Sequence, residues 1–438
     1  MQVIHPLPPP PILPTHHHHE ALLPAAPAPL HNSQRHLPLQ PPAPLRRHRP
    51  ILHPKRPPID PHPPPSCTVT RAAYLVRHAA IYANDFDYET YIAPLVEKLR
   101  NTTQPWPTTG PLSFLSNWTA PVDDAHLEKL TRVGLQEATT LGSSFRQRYP
   151  DLRAQKVWSS TADRTVKSAQ GFIAGWTNTT TTNNVSHADV DVDLVQVAES
   201  ASLGADSLTP YKACPAYSSS YGSDFENTFV KTYTRPILTR LNTHHPSFNF
   251  TATDITAMFE LCGYETVIRG HLPSAPCLCS PRPNGSPSNT RTTSYGGGDG
   301  RQDLFVSFTH RELPPTVVTA LGLFNNTAYT SPSFLNQSMP TDEVNYYRAW
   351  RSSHILPFLG NVGIERLECD GDGQGEGVYF RVLVNGAVQP VIGCRDGPGG
   401  SCSAGGFGEW MRGREEEFGD FGAACGNASA SGELGIYA

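Results

Sequence analysis

The chain has 438 residues, a net charge of −5 and only 17% charged residues, so it lacks the global basic field that nucleic-acid binding uses. No apolar run approaches the roughly 18 residues a membrane-spanning helix needs, and no such span is expected. The length suits one large α/β domain carrying an inserted subdomain, or two ordinary domains.

Residues 1–66 stand apart. They hold 21 of the 43 prolines and 10 of the 18 histidines, and they are net basic where the rest is acidic. Proline has no N–H for helix or sheet ladders, and the tract has little apolar surface to bury, so it is expected to be disordered. His16 to His19 read as part of that low-complexity tract rather than as a metal site. Behind Met1 there is no charged region followed by a continuous apolar one, so no signal peptide is visible. Against this stand nine Asn-x-Ser/Thr sequons and nine scattered cysteines whose spacing fits no zinc motif. They favour an oxidising, extracellular or secretory-pathway location.

Order is expected from Cys67. Ala72–Ala79 reads as a buried strand ending on a charged pair, and Leu130–Arg148 as an amphipathic helix capped by Thr131. Lys156–Ser160 predicts a strand with a helix over Asp163–Trp176 behind it, and Val190–Ala198 alternates like a strand. Helices are expected over Asp224–Asn242 and Thr253–Arg269. Asp303–His310 is another buried strand, followed by a helix over Pro314–Phe324 with proline in its first turn. Tyr379–Val391 gives two strands around Asn385-Gly386, a strong hairpin signal. Strands that alternate with helices and end in polar residues predict a three-layer αβα fold, whose ligands bind beyond the carboxyl ends of the strands.

Three strand ends deliver the chemistry: Arg77-His78, then Ser159-Ser160 leading to Arg164, then His310 with Glu312. A neutral imidazole can attack phosphorus, guanidinium groups hold phosphoryl oxygens, and a carboxylic acid protonates a leaving alcohol. Each residue alone is more often structural; their convergence on one sheet edge points to phosphoryl transfer.

Together these segments resemble the branch of the histidine phosphatase superfamily that holds acid phosphatases and fungal phytases. LVRHAAIY (75–82) is similar to its Arg-His-Gly-x-Arg-x-Pro motif, and LTRVG (130–134) to its Leu-Thr-x-x-Gly. SSTADRTVKSAQGF (159–172) resembles its second arginine segment, and FVSFTHRE (305–312) the one with its second histidine. The likeness runs in order from about Cys67 to Cys425. It implies a phosphoglycerate mutase-like αβα core with a small helical subdomain at roughly 82–130 and 199–300. The core domain would span 67–425 and a tail 426–438. It implies His78 as nucleophile, Arg77, Arg164 and His310 as phosphate ligands, and no metal or cofactor. Glu312 becomes the proton donor because His310-Arg311-Glu312 is similar to the His-Ala-Glu of multiple inositol polyphosphate phosphatases. The implied disulfides are Cys67–Cys369, Cys214–Cys425, Cys262–Cys277 and Cys394–Cys402, which leaves Cys279 over.

The chain departs from that pattern. The motif's second arginine is Ile81, its glycine Ala79 and its proline Ala83, with Lys167 and Arg311 as candidate substitutes for the missing cation. The acids Asp85, Asp87 and Glu89 lie in what reads as a solvated loop near the mouth, where they would disfavour a highly anionic substrate. The expected activity is phosphomonoester hydrolysis on a small phosphorylated substrate; the alternative is a catalytically weak protein of the same fold that binds a phosphorylated ligand. Residues 278–300 have no helical or strand period. A coding string for PEWLAFEYTNDL, read one nucleotide later, gives PNGSPSNTRTTS, which is 283–294 as written. The family resemblance places a Glu-Trp-x-x-x-x-Tyr helix here, so a frame error is expected.

Overall fold

The computed structural model describes residues 59–110, 112–177, 191–270, 302–325, 341–342, 348–371, 376–427 and 435–437. Most of the proline-rich tract and all of 278–300, and with them their expected disorder and frame error, lie outside the described residues.

One mixed sheet organises the chain. Its strands are β1 (Cys67–Arg77), β2 (Lys156–Ser160), β3 (Asp193–Val197), β4 (Leu304–Thr309), β5 (Asn361–Cys369), β6 (Gly377–Val384), β7 (Ala387–Gln389) and β8 (Cys402–Ser403). They run in the order β3-β2-β4-β1-β5-β6-β7, with β8 pairing β6. β3, β2, β4 and β1 are parallel, and β5 turns antiparallel against β1. The helices are α1 (Asp85–Asp87), α2 (Ala93–Arg100), α3 (Arg132–Arg148), α4 (Asp163–Thr177), α5 (Ser223–His244), α6 (Ala252–Arg269), α7 (Leu313–Ala320), α8 (Ser352–Ile355), α9 (Ala404–Phe418) and α10 (Phe421–Cys425).

Side chains alternate across a strand, so β1 serves two cores. Ala72, Tyr74 and Val76 face Phe145 of α3, Tyr149 at its C-cap, and Phe172 and Trp176 of α4. Leu75, between them, packs into the opposite core with Val318 of α7 and Phe407 and Trp410 of α9. Helices therefore cover both faces, as the alternating pattern predicts. A further apolar cluster gathers Leu95, Leu112, Phe250, Ile255 and Leu261 from α2, α6 and their flanking segments. No helix among the described residues is long and apolar enough to cross a membrane.

Most expected elements appear within a few residues of their expected bounds. Thr131 caps α3 by accepting from the Gly134 amide. Helix α6 starts one residue earlier than expected, on a capping box of Thr251 and Asp254. The segment read as a solvated loop, Tyr82–Tyr91, is instead largely helical: α1 passes through a π-turn over Tyr88–Ile92 into α2. Asn84 caps it, and Ile92 anchors it in the helical cluster. Disulfides join Cys67 to Cys369, Cys214 to Cys425, and Cys394 to Cys402. The fourth expected pair involves Cys277, which lies outside the described residues.

Candidate active site

Parallel register builds the site. Arg77 pairs with Thr309 in adjacent strands, so the next residue of each strand, His78 and His310, leaves the same sheet edge together. Their ring centroids are 6.0 Å apart, and the His78 amide donates to the Thr309 carbonyl at 2.8 Å. β2 sits beside β4 with Ser159 opposite Phe308, which brings Ser160 alongside and starts α4 with Arg164 at the same edge.

His78 is almost fully buried. Its Nδ1 lies 2.9 Å from the Ala79 carbonyl oxygen, which can only accept, so Nδ1 carries the proton and Nε2 keeps its lone pair. Burial, reinforced by the Arg77 charge, holds the imidazole pKa well below its usual value. A histidine so placed stays neutral, and hence nucleophilic, in mildly acidic solution.

Arg77 donates from one Nη to the Leu356 carbonyl at 2.7 Å, and its guanidinium lies 4.4 Å from the Phe358 ring centroid. Burial, then repulsion from Arg311, lowers its pKa to about 10, which leaves it charged. The Nε atoms of Arg77 and Arg164 are both buried without a hydrogen-bond partner within the protein, two orphan donors at one site. His310 Nε2 lies 2.9 Å from Glu199 Oε1 and 3.4 Å from Ser160 Oγ. Glu199 also binds Lys212 and accepts from the Ala162 amide at 3.1 Å. Burial alone would raise its carboxyl pKa, but the His310 and Lys212 hydrogen bonds hold it far below the usual range. Glu312 is the N-cap residue of α7, and its carboxylate accepts from Arg311 Nε at 3.0 Å.

The loop after His78 is set by close contact with two helices. The Ala79 amide donates to Ser168 Oγ on α4 at 2.9 Å, and a Cβ at Gly134 of α3 would come within 2.2 Å of the Ala80 carbonyl oxygen. Ile81 is buried and bridges Leu130, so an apolar side chain stands where the resemblance puts a cation. The proposed substitutes are engaged elsewhere: Lys167 pairs with Asp163 and half its side chain is exposed, while Arg311 holds Glu312. Asp87 accepts from the Tyr264 hydroxyl at 2.6 Å, and Asp85 hydrogen-bonds to Glu128, which itself pairs with Arg164. Sequence reading placed His78, Arg77, Arg164, His310 and Glu312 on strand ends and helix starts. It missed Glu199, Ser168 and Glu128, whose only signal was proximity to a motif. Among the described residues, metal-ligand side chains cluster only at Cys394, Asp396 and Cys402, two of which form a disulfide.

The sequence and fold are similar to those of known proteins. Residues 68–277 match the family model of the histidine phosphatase superfamily (branch 2). The acid phosphatase PHO1 of Komagataella pastoris is 29% identical, over 85% of this chain and 84% of its own. Phytase A of Aspergillus oryzae is 24% identical, over 80% and 83%. A crystal structure of the phytase from D. castellii superposes with a TM-score of 0.70 at 21% identity, covering 86% of each chain.

Proposed function

We propose that the chain is a branch 2 histidine phosphatase and that it hydrolyses phosphate monoesters with His78 as its nucleophile. The observation that carries the assignment is the Nδ1–Ala79 hydrogen bond, which commits the lone pair of a buried, neutral imidazole to Nε2. His78 Nε2 forms a bond to phosphorus as the bond to the ester oxygen breaks, and Glu312 transfers a proton to the departing oxygen. Arg77, Arg164 and His310 hold the three remaining phosphoryl oxygens, to which the orphan Nε donors of both arginines add hydrogen bonds. Water then attacks the phosphohistidine, Glu312 takes its proton, and phosphate leaves. No residue in this scheme needs a metal or cofactor.

The substrate is a small phosphorylated compound. Disulfides and exposed sequons at Asn101, Asn117 and Asn249 support maturation in the secretory pathway. One observation favours the weaker reading of a phosphate-binding protein with little turnover, namely the buried Ile81 in place of a cation. A guanidinium hydrogen bond to a charged group contributes about 1.5–3 kcal/mol, so its loss slows the reaction by roughly ten- to a hundred-fold without abolishing it. Hydrolysis of a generic aryl phosphate at acid pH, by wild type beside His78→Ala, tests the assignment. Turnover by the wild type and a loss of at least a thousand-fold in the variant are expected, whereas equal rates would remove His78 from the mechanism.

A further inference from the structure

Arg164 meets the site with a partner already attached. Its guanidinium is ion-paired with Glu128, and its Nε is buried with no partner, so part of its donor set is occupied by a protein carboxyl and part is open. Glu128 is not a surface side chain that wandered there. Its backbone has φ +63°, a left-handed conformation that L side chains rarely adopt, and its amide donates to the Ala83 carbonyl at 3.0 Å. The Ile81–Leu130 bridge and the Tyr82 amide on the Lys129 carbonyl tie the same stretch to the nucleophile loop. The segment that lacks a second cation thus carries a carboxyl group aimed at the cation that remains.

We propose that Glu128 is a specificity-determining residue: its carboxyl group holds Arg164 before substrate binds and yields it to the phosphoryl group only as the neutral acid. The inference rests on the phosphatase reading for the identity of the ligand. The groups that face Glu128 are Asp85 from α1 and Arg164 from α4. On its own segment, His126 is engaged by Asp123, and Lys129 donates to the Ala125 carbonyl. Burial, then the Asp85 hydrogen bond, pushes the Glu128 carboxyl up to about 7 against the opposing pull of Arg164. Below that pH the acid is neutral, its one O–H donates to the Asp85 carboxylate, and Arg164 is free to bind a phosphoryl oxygen. Above it, the carboxylate keeps Arg164 and repels the phosphate dianion. Substrate affinity therefore falls as pH rises through about 7, and esters with further anionic groups beside the phosphate are disfavoured most.

Inorganic phosphate is the probe, titrated calorimetrically at about pH 5 and about pH 7.5 into the full chain, with Glu128→Gln and Asp85→Asn alongside. At the higher pH, Glu128→Gln is expected to bind phosphate at least tenfold more tightly than wild type, with the two alike at the lower pH. Asp85→Asn removes the carboxylate that favours the neutral acid, so its affinity loss moves to lower pH. Equal affinity of wild type and Glu128→Gln at the higher pH, or weaker binding by the variant at both, overturns the proposal. Should Glu128→Gln fail to fold, Asp85→Asn decides it, and an unshifted profile refutes it. These readouts need no turnover, so a failure of His78 as nucleophile in the aryl phosphate assay is seen separately.

Discussion

Glu199 joins three donors at once: His310 Nε2, the Lys212 ammonium and the Ala162 amide. A carboxylate so engaged cannot turn towards substrate; it fixes the plane of the His310 ring and, in the proposed mechanism, leaves the other ring nitrogen for the phosphoryl group. Glu199 is thus a positioning residue. Removing the acceptor in Glu199→Ala forfeits a charge-assisted hydrogen bond of about 1.5–3 kcal/mol, so kcat should fall by roughly ten- to a hundred-fold. Glu199→Gln keeps an acceptor for Nε2–H and should recover most of that loss. A purely structural role would make the two variants equally poor in stability and leave kcat of the folded enzyme intact, which steady-state kinetics beside thermal melts will tell apart. At this scale His78 and His310, the histidines of the proposed site, were legible because each follows directly on a buried apolar run. Glu199 was not, because it reads as the polar end of an alternating strand, and its partner is 111 residues away.

Three glycines set how closely α3 and α4 approach each other and the loop after His78. A Cβ at Gly142 would meet the Phe172 carbonyl oxygen at 2.0 Å, one at Gly175 the Thr139 oxygen at 1.9 Å, and one at Gly134 the Ala80 oxygen at 2.2 Å. In each case the obstacle is backbone and cannot rotate aside. Gly142→Ala and Gly134→Ala should each lower stability by about 1–3 kcal/mol through overpacking. Only Gly134→Ala presses on the segment two residues beyond His78, so it should also reduce kcat of the folded fraction, while Gly142→Ala spares it. Melting curves and active-site-normalised rates for the pair check this; equal kcat values would mean that the loop position does not depend on α3. The helices themselves were readable from cap and period. Their separation was not, since glycine in a helix reads only as weakened propensity.

Across the molecule, the parallel half of the sheet was visible as apolar runs, whereas β5 and α9 were not. β5 carries Glu365 in a fully buried position, neutralised by Arg381 Nε at 2.5 Å and Arg148 Nη2 at 2.9 Å. Both arginines also reach the Pro61 carbonyl, clamping the start of the described chain to the sheet. A charge inside a strand hides its period from the sequence until its partners are known. Helix α9 contains Gly405, Gly406, Gly408 and Gly413 and is held through Phe407 and Trp410 packing on the sheet, so tertiary contact overrides its poor propensity. The coding interval for 278–300 is a different case, because the sequence itself is in question. A chain carrying PEWLAFEYTNDL at 283–294 would supply Trp, Leu, Phe and Tyr at helical spacing, where the written residues supply almost no apolar surface. Burying even two such side chains contributes about 3–6 kcal/mol, enough to raise the melting temperature by several degrees. Transcript reads across the interval should show one nucleotide displaced, and the restored chain should melt higher and keep its His78-dependent activity. An uninterrupted frame in the reads, with no gain in melting temperature, would establish the written residues as native.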